Sequence, residues 1–433
     1  MPADRSRTPQ RVQGMRDLLF DQTPTWALLE SASRLTAQRH GYQRVVTPLL
    51  EATELFAHAV GQGTDIVDKE MYTFTDRSDR SLTLRPEATA SVMRAYFDGG
   101  LHQAPQPVRV WYEGPMFRYD RPQAGRYRQF FQFGAEAVGD AAPGLDVEMI
   151  EMAGDWLTAC GVEGVTLQLN SVGDEVCRPA YREALRDYFR PYLSEMCEED
   201  RRRFEMNPLR MLDCKKPSCT PFHASAPRID EHLCDPCHDH HERVKAGLAA
   251  LGVAHQDNPR LVRGLDYYTR TAFEFWHEDL EGAQNALGGG GRYDGLAEVL
   301  GFDPTPGVGF AMGSDRVVLA LQRAGREVSA DVVEVYLISA AEGADSVVLQ
   351  AARDLRGEGR SAVVDHSGRS LKARMRQAQK LGSPCVLIVG DDEMAAATLT
   401  LRDMASGEQV SVSSSQLIEQ VDSILGVPAV TGE

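Results

Sequence analysis

VRVWYEGPMFRYDRPQAGRYRQFFQFGAE, residues 108–136, decides how the rest of the chain is read. Its first end is rich in Val, Trp and Tyr and its second in Phe, the composition of pleated strands. Pro122 and Gly125 mark a polar loop between them, so the pattern predicts two antiparallel strands joined by a long connection. Five arginines fall here, Arg109, Arg118, Arg121, Arg126 and Arg128, opposed before Glu136 only by Glu113 and Asp120. A planar guanidinium can grip two phosphate oxygens at once, so phosphate is a natural ligand.

Side chains alternate faces along a strand. Phe131, Phe133 and Ala135 therefore share a face suited to a core, and Arg128, Phe130, Gln132, Gly134 and Glu136 share the other. A Glu buried beside a Gln is costly unless something uses it. A small polar or cationic ligand lying against an aromatic plane is the simplest account, and a solvated hairpin face is the alternative.

With 433 residues the chain is long enough for two or three domains. Its 42% hydrophobic and 25% charged content is that of a globular enzyme. A net charge of −17 argues against a protein that coats DNA nonspecifically, yet leaves room for a local basic patch that binds RNA. The first residues lack the apolar core of a secretory signal, and no apolar run is long enough to span a bilayer. A reduced, cytoplasmic setting with no membrane association is the expectation.

The motifs around the opening stretch carry a resemblance. Gly114–Arg118, then Arg121, Pro122 and Gln123, then Gly125–Phe130 and Gln132 resemble motif 2 of class II aminoacyl-tRNA synthetases, in the version of the histidyl-tRNA synthetase family. The helix-like segment 25–41, followed by a strand over 42–50 interrupted at Pro48, resembles motif 1, which forms the dimer interface in that class. Leu84-Arg85-Pro86-Glu87-Ala88-Thr89 is similar to the family's Thr-Leu-Arg-Pro-Glu stretch, although a carboxylate at Glu87 also suits a helix start. Arg263-Gly264-Leu265-Asp266-Tyr267-Tyr268 closely resembles a signature particular to this family. The run Gly288–Gly291 before Arg292 resembles its second histidine-specific motif, the other reading being a flexible turn. Gly307–Arg316 is similar to motif 3.

The resemblance covers nearly the whole chain. It implies an α/β protein with an α+β catalytic domain, built on a mostly antiparallel sheet of six to seven strands. The expected domains are catalytic over 1–172 and 257–328, a mainly helical insertion over 173–256, and a C-terminal α/β anticodon-binding domain over 329–433. For that last domain the pattern predicts strands over 332–339, 361–365, 385–389, 398–401 and 409–412, with helices over 344–357 and 370–381 and a closing helix after the last strand.

The implied reaction joins L-histidine to tRNA(His) through histidyl-adenylate, using ATP with Mg2+, in a homodimer. Carried over by motif, Arg118 and Arg263 act at the α-phosphate, Arg126 and Arg316 hold the outer phosphates, and Phe130 and Arg316 sandwich adenine. Glu87, Thr89, Gln132, Glu136, Tyr267, Tyr268 and Gly289 form the histidine site, and Arg121 and Gln123 touch the tRNA acceptor end. Two rival classes stand against this reading. A noncatalytic paralogue of this family would typically lose the Arg263–Tyr268 signature and the last domain, and a class I nucleotide-binding enzyme would carry HIGH and KMSKS sequences, which are absent.

Within the insertion, Cys214-x4-Cys219 and Cys234-x2-Cys237 form two pairs at spacings compatible with one tetrahedral zinc. Small buried cysteines in a helical insert are the favoured reading, and structural zinc the other.

Overall fold

The computed structural model describes residues 9–61, 64, 66–214, 216–261, 267–280, 285–326, 328 and 332–427. Helix α1 (Thr23–Arg39) buries Trp26, Leu29, Ala32 and Ala37, as its spacing predicts. Strands β1 (Gln43–Arg44) and β2 (Leu50–Ala52) follow. The strand expected over 42–50 with an interruption at Pro48 is thus two short strands, and they belong to different sheets. Pro48 between them has no N–H to give a ladder. Next come α2 (Thr53–Val60), β3 (Tyr72–Thr75), β4 (Ser81–Leu84), α3 (Thr89–Asp98), β5 (Val108–Phe117) and β6 (Gln129–Val138). After them run α4 (Pro143–Ala159), β7 (Val165–Ser171), α5 (Arg178–Phe189), α6 (Glu198–Met206), α7 (Asp235–Ala250) and β8 (Gln256–Asp257). The unit is completed by β9 (Thr269–His277), β10 (Ala286–Arg292), α8 (Leu296–Val299), β11 (Gly307–Gly313) and α9 (Ser314–Arg323).

The main sheet has the order β1-β5-β6-β11-β10-β9-β7-β8. Its six central strands are antiparallel, and the two-residue strands β1 and β8 run parallel to their neighbours at the edges. The expected six to seven strands become eight when both edges are counted. The opening stretch forms the β5–β6 hairpin, with Val108 opposite Val138 and Phe117 opposite Gln129.

The run Gly288–Gly291 is no turn: it lies inside β10, between β9 and β11. Its neighbours crowd it so closely that a Cβ on Gly289 would stand 2.2 Å from the carbonyl oxygen of Phe273. Glycine is required there by close packing of strands.

One face of the sheet is dry. Phe133, Ala135, Leu167, Leu169, Phe273, Phe275 and Met312 meet Leu29, Ile150, Trp156, Val244, Leu248 and Val317 from α1, α4, α7 and α9 in one core. The start of α4 is pinned to β10 by charge. Arg292 is fully buried, donates to both oxygens of Asp146 and reaches the backbone carbonyls of Asp140 and Ala142, and His240 lies 3.3 Å from Asp146 Oδ1. Burial alone would raise the Asp146 carboxyl, but the His240 hydrogen bond and the Arg292 charge outweigh it and hold the group below the usual carboxylate range.

Between β7 and β8 the chain leaves the sheet for α5, α6 and α7, connected by short 3-10 turns. Tyr181, Leu185, Phe189, Phe204 and Met211 give this segment a small core of its own.

The chain divides into two compact units, Met1–Val328 and Ser329–Glu433. The second has a five-stranded sheet of order β13-β12-β14-β15-β16, from β12 (Val335–Ser339), β13 (Ala362–Asp365), β14 (Cys385–Val389), β15 (Leu399–Asp403) and β16 (Gln409–Val412). Helices α10 (Asp345–Gly357), α11 (Leu371–Lys380), α12 (Asp391–Ala396) and α13 (Leu417–Leu425) complete it. Only α12 escaped the sequence pattern, because it buries no residue and so shows no apolar periodicity.

Candidate active site

The opposite face of the main sheet carries a cavity. The alternation of β6 brings Phe130 and Gln132 to its wall while Phe133 and Ala135 point to the core. Glu87 and Thr89 enter from the start of α3, Arg118 and Arg126 from the β5–β6 connection, Tyr267 and Tyr268 from the segment before β9, and Arg316 from the first turn of α9. Nine of the residues expected from sequence therefore converge on one space. Val262–Asp266, with Arg263, lie outside the described residues.

Two ends of this space differ in chemistry. At the cationic end Arg118 donates through Nε to the Pro86 carbonyl at 2.9 Å and lies 5.3 Å from the centre of the Phe130 ring. That places a guanidinium beside an aromatic plane. Arg126 pairs with Asp120, and Arg316 donates to the Ala286 carbonyl.

The other end is rich in hydroxyls and holds the Glu87 carboxyl. Glu87 accepts the backbone N–H groups of Thr89 at 2.7 Å and Ala90 at 3.1 Å, which satisfies donors at the start of α3. Burial pushes its carboxyl up, and those two amides partly offset the effect. The Oε1 of Gln132 is buried without a hydrogen-bond partner.

Glu136 does not line the cavity; it sits just behind the wall, 1% exposed. It accepts from the hydroxyls of Thr89 at 2.7 Å, Tyr112 at 3.3 Å and Tyr293 at 2.5 Å, three residues that do line the cavity. Burial is the main reason its carboxyl is pushed up to about 8, with the Tyr293 and Thr89 hydroxyls opposing and the Glu87 charge adding. The space for it is made across the β6–β11 pair, where Glu136 faces Gly309. A Cβ on Gly309 would stand 1.7 Å from Glu136 Oε2, so any larger residue would displace the carboxylate.

Three expected residues stand apart. Arg121 and Gln123 are exposed at the tip of the β5–β6 connection, where Gln123 and Arg126 exchange backbone hydrogen bonds. Gly289 is buried between strands, and its neighbour Gly288 lines the cavity instead. The sequence reading missed Tyr112, Tyr293 and Glu274 on the wall. Tyr112 and Glu274 each sit in an alternating strand and could have been found by assigning its faces; Tyr293 follows the strand and shows no such pattern.

The four-cysteine set that the alternative reading of a single zinc requires is not formed. Cys214 and Cys219 gather with Cys197 and Asp200, whereas Cys234 and Cys237 gather with Cys177 and Asp174. The reason is topological: Cys234 and Cys237 sit at the start of α7, beside the start of α5, whereas Cys214 and Cys219 lie in the connection after α6 and gather at the start of α6.

A histidyl-tRNA synthetase family model matches residues 14–197 and 220–317, and an anticodon binding domain model matches residues 334–424. The chain belongs to the histidyl-tRNA synthetase family. That family ligates histidine to tRNA through an aminoacyl-adenylate. The chain is 48% identical over 411 residues to a histidine–tRNA ligase of Desulforamulus reducens, covering 94% of this chain and 97% of that one. Apo histidyl-tRNA synthetase of S. aureus has a similar structure, with a TM-score of 0.81 at 34% identity, covering 96% of this chain and all of the other. A Bacillus halodurans C structure titled as an ATP phosphoribosyltransferase regulatory subunit/histidyl-tRNA synthetase matches with a TM-score of 0.64 at 21% identity, over 88% of this chain and 98% of that one, a likeness of fold alone. Among the described residues no helix is long and apolar enough to cross a membrane.

Proposed function

We propose that the cavity binds L-histidine and ATP together, forms histidyl-adenylate, and passes the histidyl group to the 3′ end of tRNA(His). The observation that carries this reading is the pairing, in one space, of the Arg118–Phe130 contact with the partnerless amide oxygen of Gln132. A phosphate and purine suit the first, and an ammonium donor suits the second.

In the first step a histidine carboxylate oxygen bonds to the α-phosphorus, the bond from that phosphorus to the bridging oxygen breaks, and pyrophosphate leaves with the electron pair. Two anions meet, so positioning and charge neutralisation carry the rate. Arg118 steadies the α-phosphate, and Arg263 does so on the strength of its signature. Arg126 and Arg316 hold the outer phosphates after exchanging their contacts with Asp120 and Ala286, and Phe130 and Arg316 enclose adenine.

Mg2+ takes oxygen ligands and shares them with phosphates. The lining carboxylates Glu274 and Asp120 are of that kind and would hold it. When bound, the ion neutralises phosphate charge.

Glu87, Thr89 and Gln132 meet the histidine ammonium, while Tyr267, Tyr268 and the Glu136 network meet the imidazole, with Gly289 keeping the strand close behind. Direct contact between Glu136 and the imidazole N–H requires one of the three hydroxyls to yield its place. A site built around that contact rejects analogues lacking the ring N–H, because buried polar groups would be left unpaired.

Arg121 and Gln123 reach the acceptor end, and the unit Ser329–Glu433 reads the anticodon arm, with exposed Lys372, Arg376 and Lys380 on α11 as its basic face. The catalytic domain comprises 1–172 and 257–328, with 173–256 inserted. A cytoplasmic homodimer forms through the motif 1 segment, where Val46, Leu49 and Leu50 are exposed; a monomeric mass in sedimentation would count against it.

Histidine-dependent ATP–pyrophosphate exchange, run without tRNA, tests the central claim. Exchange with histidine and with no other amino acid is expected. Histidine binding without exchange would move the chain to the regulatory-paralogue class.

A further inference from the structure

Six of the eight cysteines fall into two clusters in the segment between β7 and β8, and Cys160 and Cys385 lie elsewhere. The first cluster joins Asp174, Cys177, Cys234 and Cys237, and the second joins Cys197, Asp200, Cys214 and Cys219. In each, one ligand-type atom from every residue lies within 4.8 Å of the others. We propose that each cluster is a structural zinc site with three thiolates and one carboxylate, two ions per chain.

The spacing supports this. A tetrahedral zinc with Zn–S bonds of about 2.3 Å sets its sulfurs roughly 3.8 Å apart. Cys177 and Cys237 place their sulfurs 3.9 Å apart, and so do Cys197 and Cys214. Asp174 Oδ1 stands 3.5 Å from the Cys177 sulfur and 3.7 Å from the Cys234 sulfur. These are the edges of a tetrahedron about the size zinc requires, and too long for a formed disulfide, whose S–S bond is about 2 Å.

Sequence spacing agrees. The first site reads Asp-x2-Cys and Cys-x2-Cys, and the second Cys-x2-Asp and Cys-x4-Cys. Short loops of this kind present two ligands each, and two loops close a site.

The surroundings favour bound thiolates and a metal-bound carboxylate. Backbone N–H groups point at sulfur: Asp174 at Cys177 (3.2 Å), Asp200 at Cys197 (3.4 Å) and Cys197 at Cys219 (3.3 Å). Asp200 is fully buried, and its two oxygens are treated differently. Oδ1 accepts from Arg203 at 3.1 Å, whereas Oδ2 has no hydrogen-bond partner. A fully buried carboxylate with one orphaned oxygen, in a cluster with three cysteines, is the donor a cation would complete. Arg203 and, at the first site, Arg270, 3.8 Å from Asp174, offset the excess negative charge of three thiolates and a carboxylate around a dication.

Location gives the reason for such clips. Cys177 and Cys234 stand immediately before α5 and α7, so the first ion ties two helix starts together; Cys197 stands immediately before α6, and the second ion ties that start to the connection carrying Cys214 and Cys219, in a segment with only a small apolar core. The second site also lies largely within 198–219, the stretch between the two segments matched by the family model.

The test is metal content of the full chain, purified without chelator or immobilised nickel. Two zinc ions per chain by inductively coupled plasma mass spectrometry are expected, with Cys237→Ser and Cys219→Ser each losing one. Because a serine variant could misfold, the wild-type chain is also stripped and refilled with Co2+, which should give the intense visible bands of tetrahedral thiolate coordination. Absence of zinc together with a weak, octahedral cobalt spectrum would overturn the proposal. So would an intramolecular disulfide within either cluster, found by thiol counting on chain purified under reducing conditions. A single zinc, lost in only one of the two variants, would overturn the site whose variant changes nothing.

Discussion

Asp146 and Asp200 are both fully buried carboxylates on helix first turns, yet one is closed and the other open. Asp146 has Arg292 on both oxygens and His240 beside it, so every lone pair faces a partner. Asp200 has Arg203 on one oxygen and no hydrogen-bond partner on the other, and it gathers with three cysteines. The cavity holds the same contrast: Glu136 is closed by three hydroxyls, and Gln132 keeps an orphan oxygen. A closed group holds architecture; an open one points to a ligand, provided other donors converge on it. Orphan atoms such as Ser91 Oγ and Trp26 Nε1 lie outside any such convergence and carry no such meaning.

The sharpest way to break the comparison is to open a closed site. Arg292→Met leaves Asp146 buried without its cation and should cost about 3–5 kcal/mol of stability, read by urea unfolding; a loss below about 1 kcal/mol would mean His240 alone balances the charge.

The cationic end should behave in the opposite sense. Arg118→Ala should slow histidine-dependent pyrophosphate exchange by roughly 10²- to 10³-fold, the size expected for losing one donor at developing charge, with the unfolding midpoint unmoved. A midpoint that falls along with the rate would make Arg118 an architectural residue.

Glu136 lies between the two classes. Glu136→Gln should raise the KM for histidine by roughly threefold to tenfold, the net worth of one hydrogen bond, while the KM for ATP stays put. Equal changes in both would remove Glu136 from the imidazole side.

The same carboxyl also makes stability depend on pH. Because the folded-state value of Glu136 is raised to about 8 from 4.5, its contribution to stability is fully present below 4.5 and is lost as pH rises through about 8. The wild-type chain should therefore lose stability relative to Glu136→Gln across that window. A difference that is flat with pH would place the carboxyl at its ordinary value.

Much of the catalytic face was legible in advance because it is written as local pattern. The alternation of β6 sorted Phe130 and Gln132 from Phe133 and Ala135, and the structure keeps that division. Helix α1 and the strands of the second unit followed from apolar periodicity in the same way. What escaped depended on partners distant in sequence. The glycine run looks like a turn until β9 and β11 close on either side of it. Glu136 looks like a wall residue until Thr89, Tyr112 and Tyr293 stand in front of it. The cysteines looked like one set of four because Cys214, Cys219, Cys234 and Cys237 are the closest in sequence, while Asp174, Cys177, Cys197 and Asp200 complete two sets from farther away.

By itself the sequence determined the family, the order of its motifs and which face of each strand is polar, since these rest on residue identity and on periods of two and 3.6. Which carboxylates end closed and which end open was decided only by tertiary structure, because a buried charge takes its partners from whatever elements the fold brings within hydrogen-bond reach.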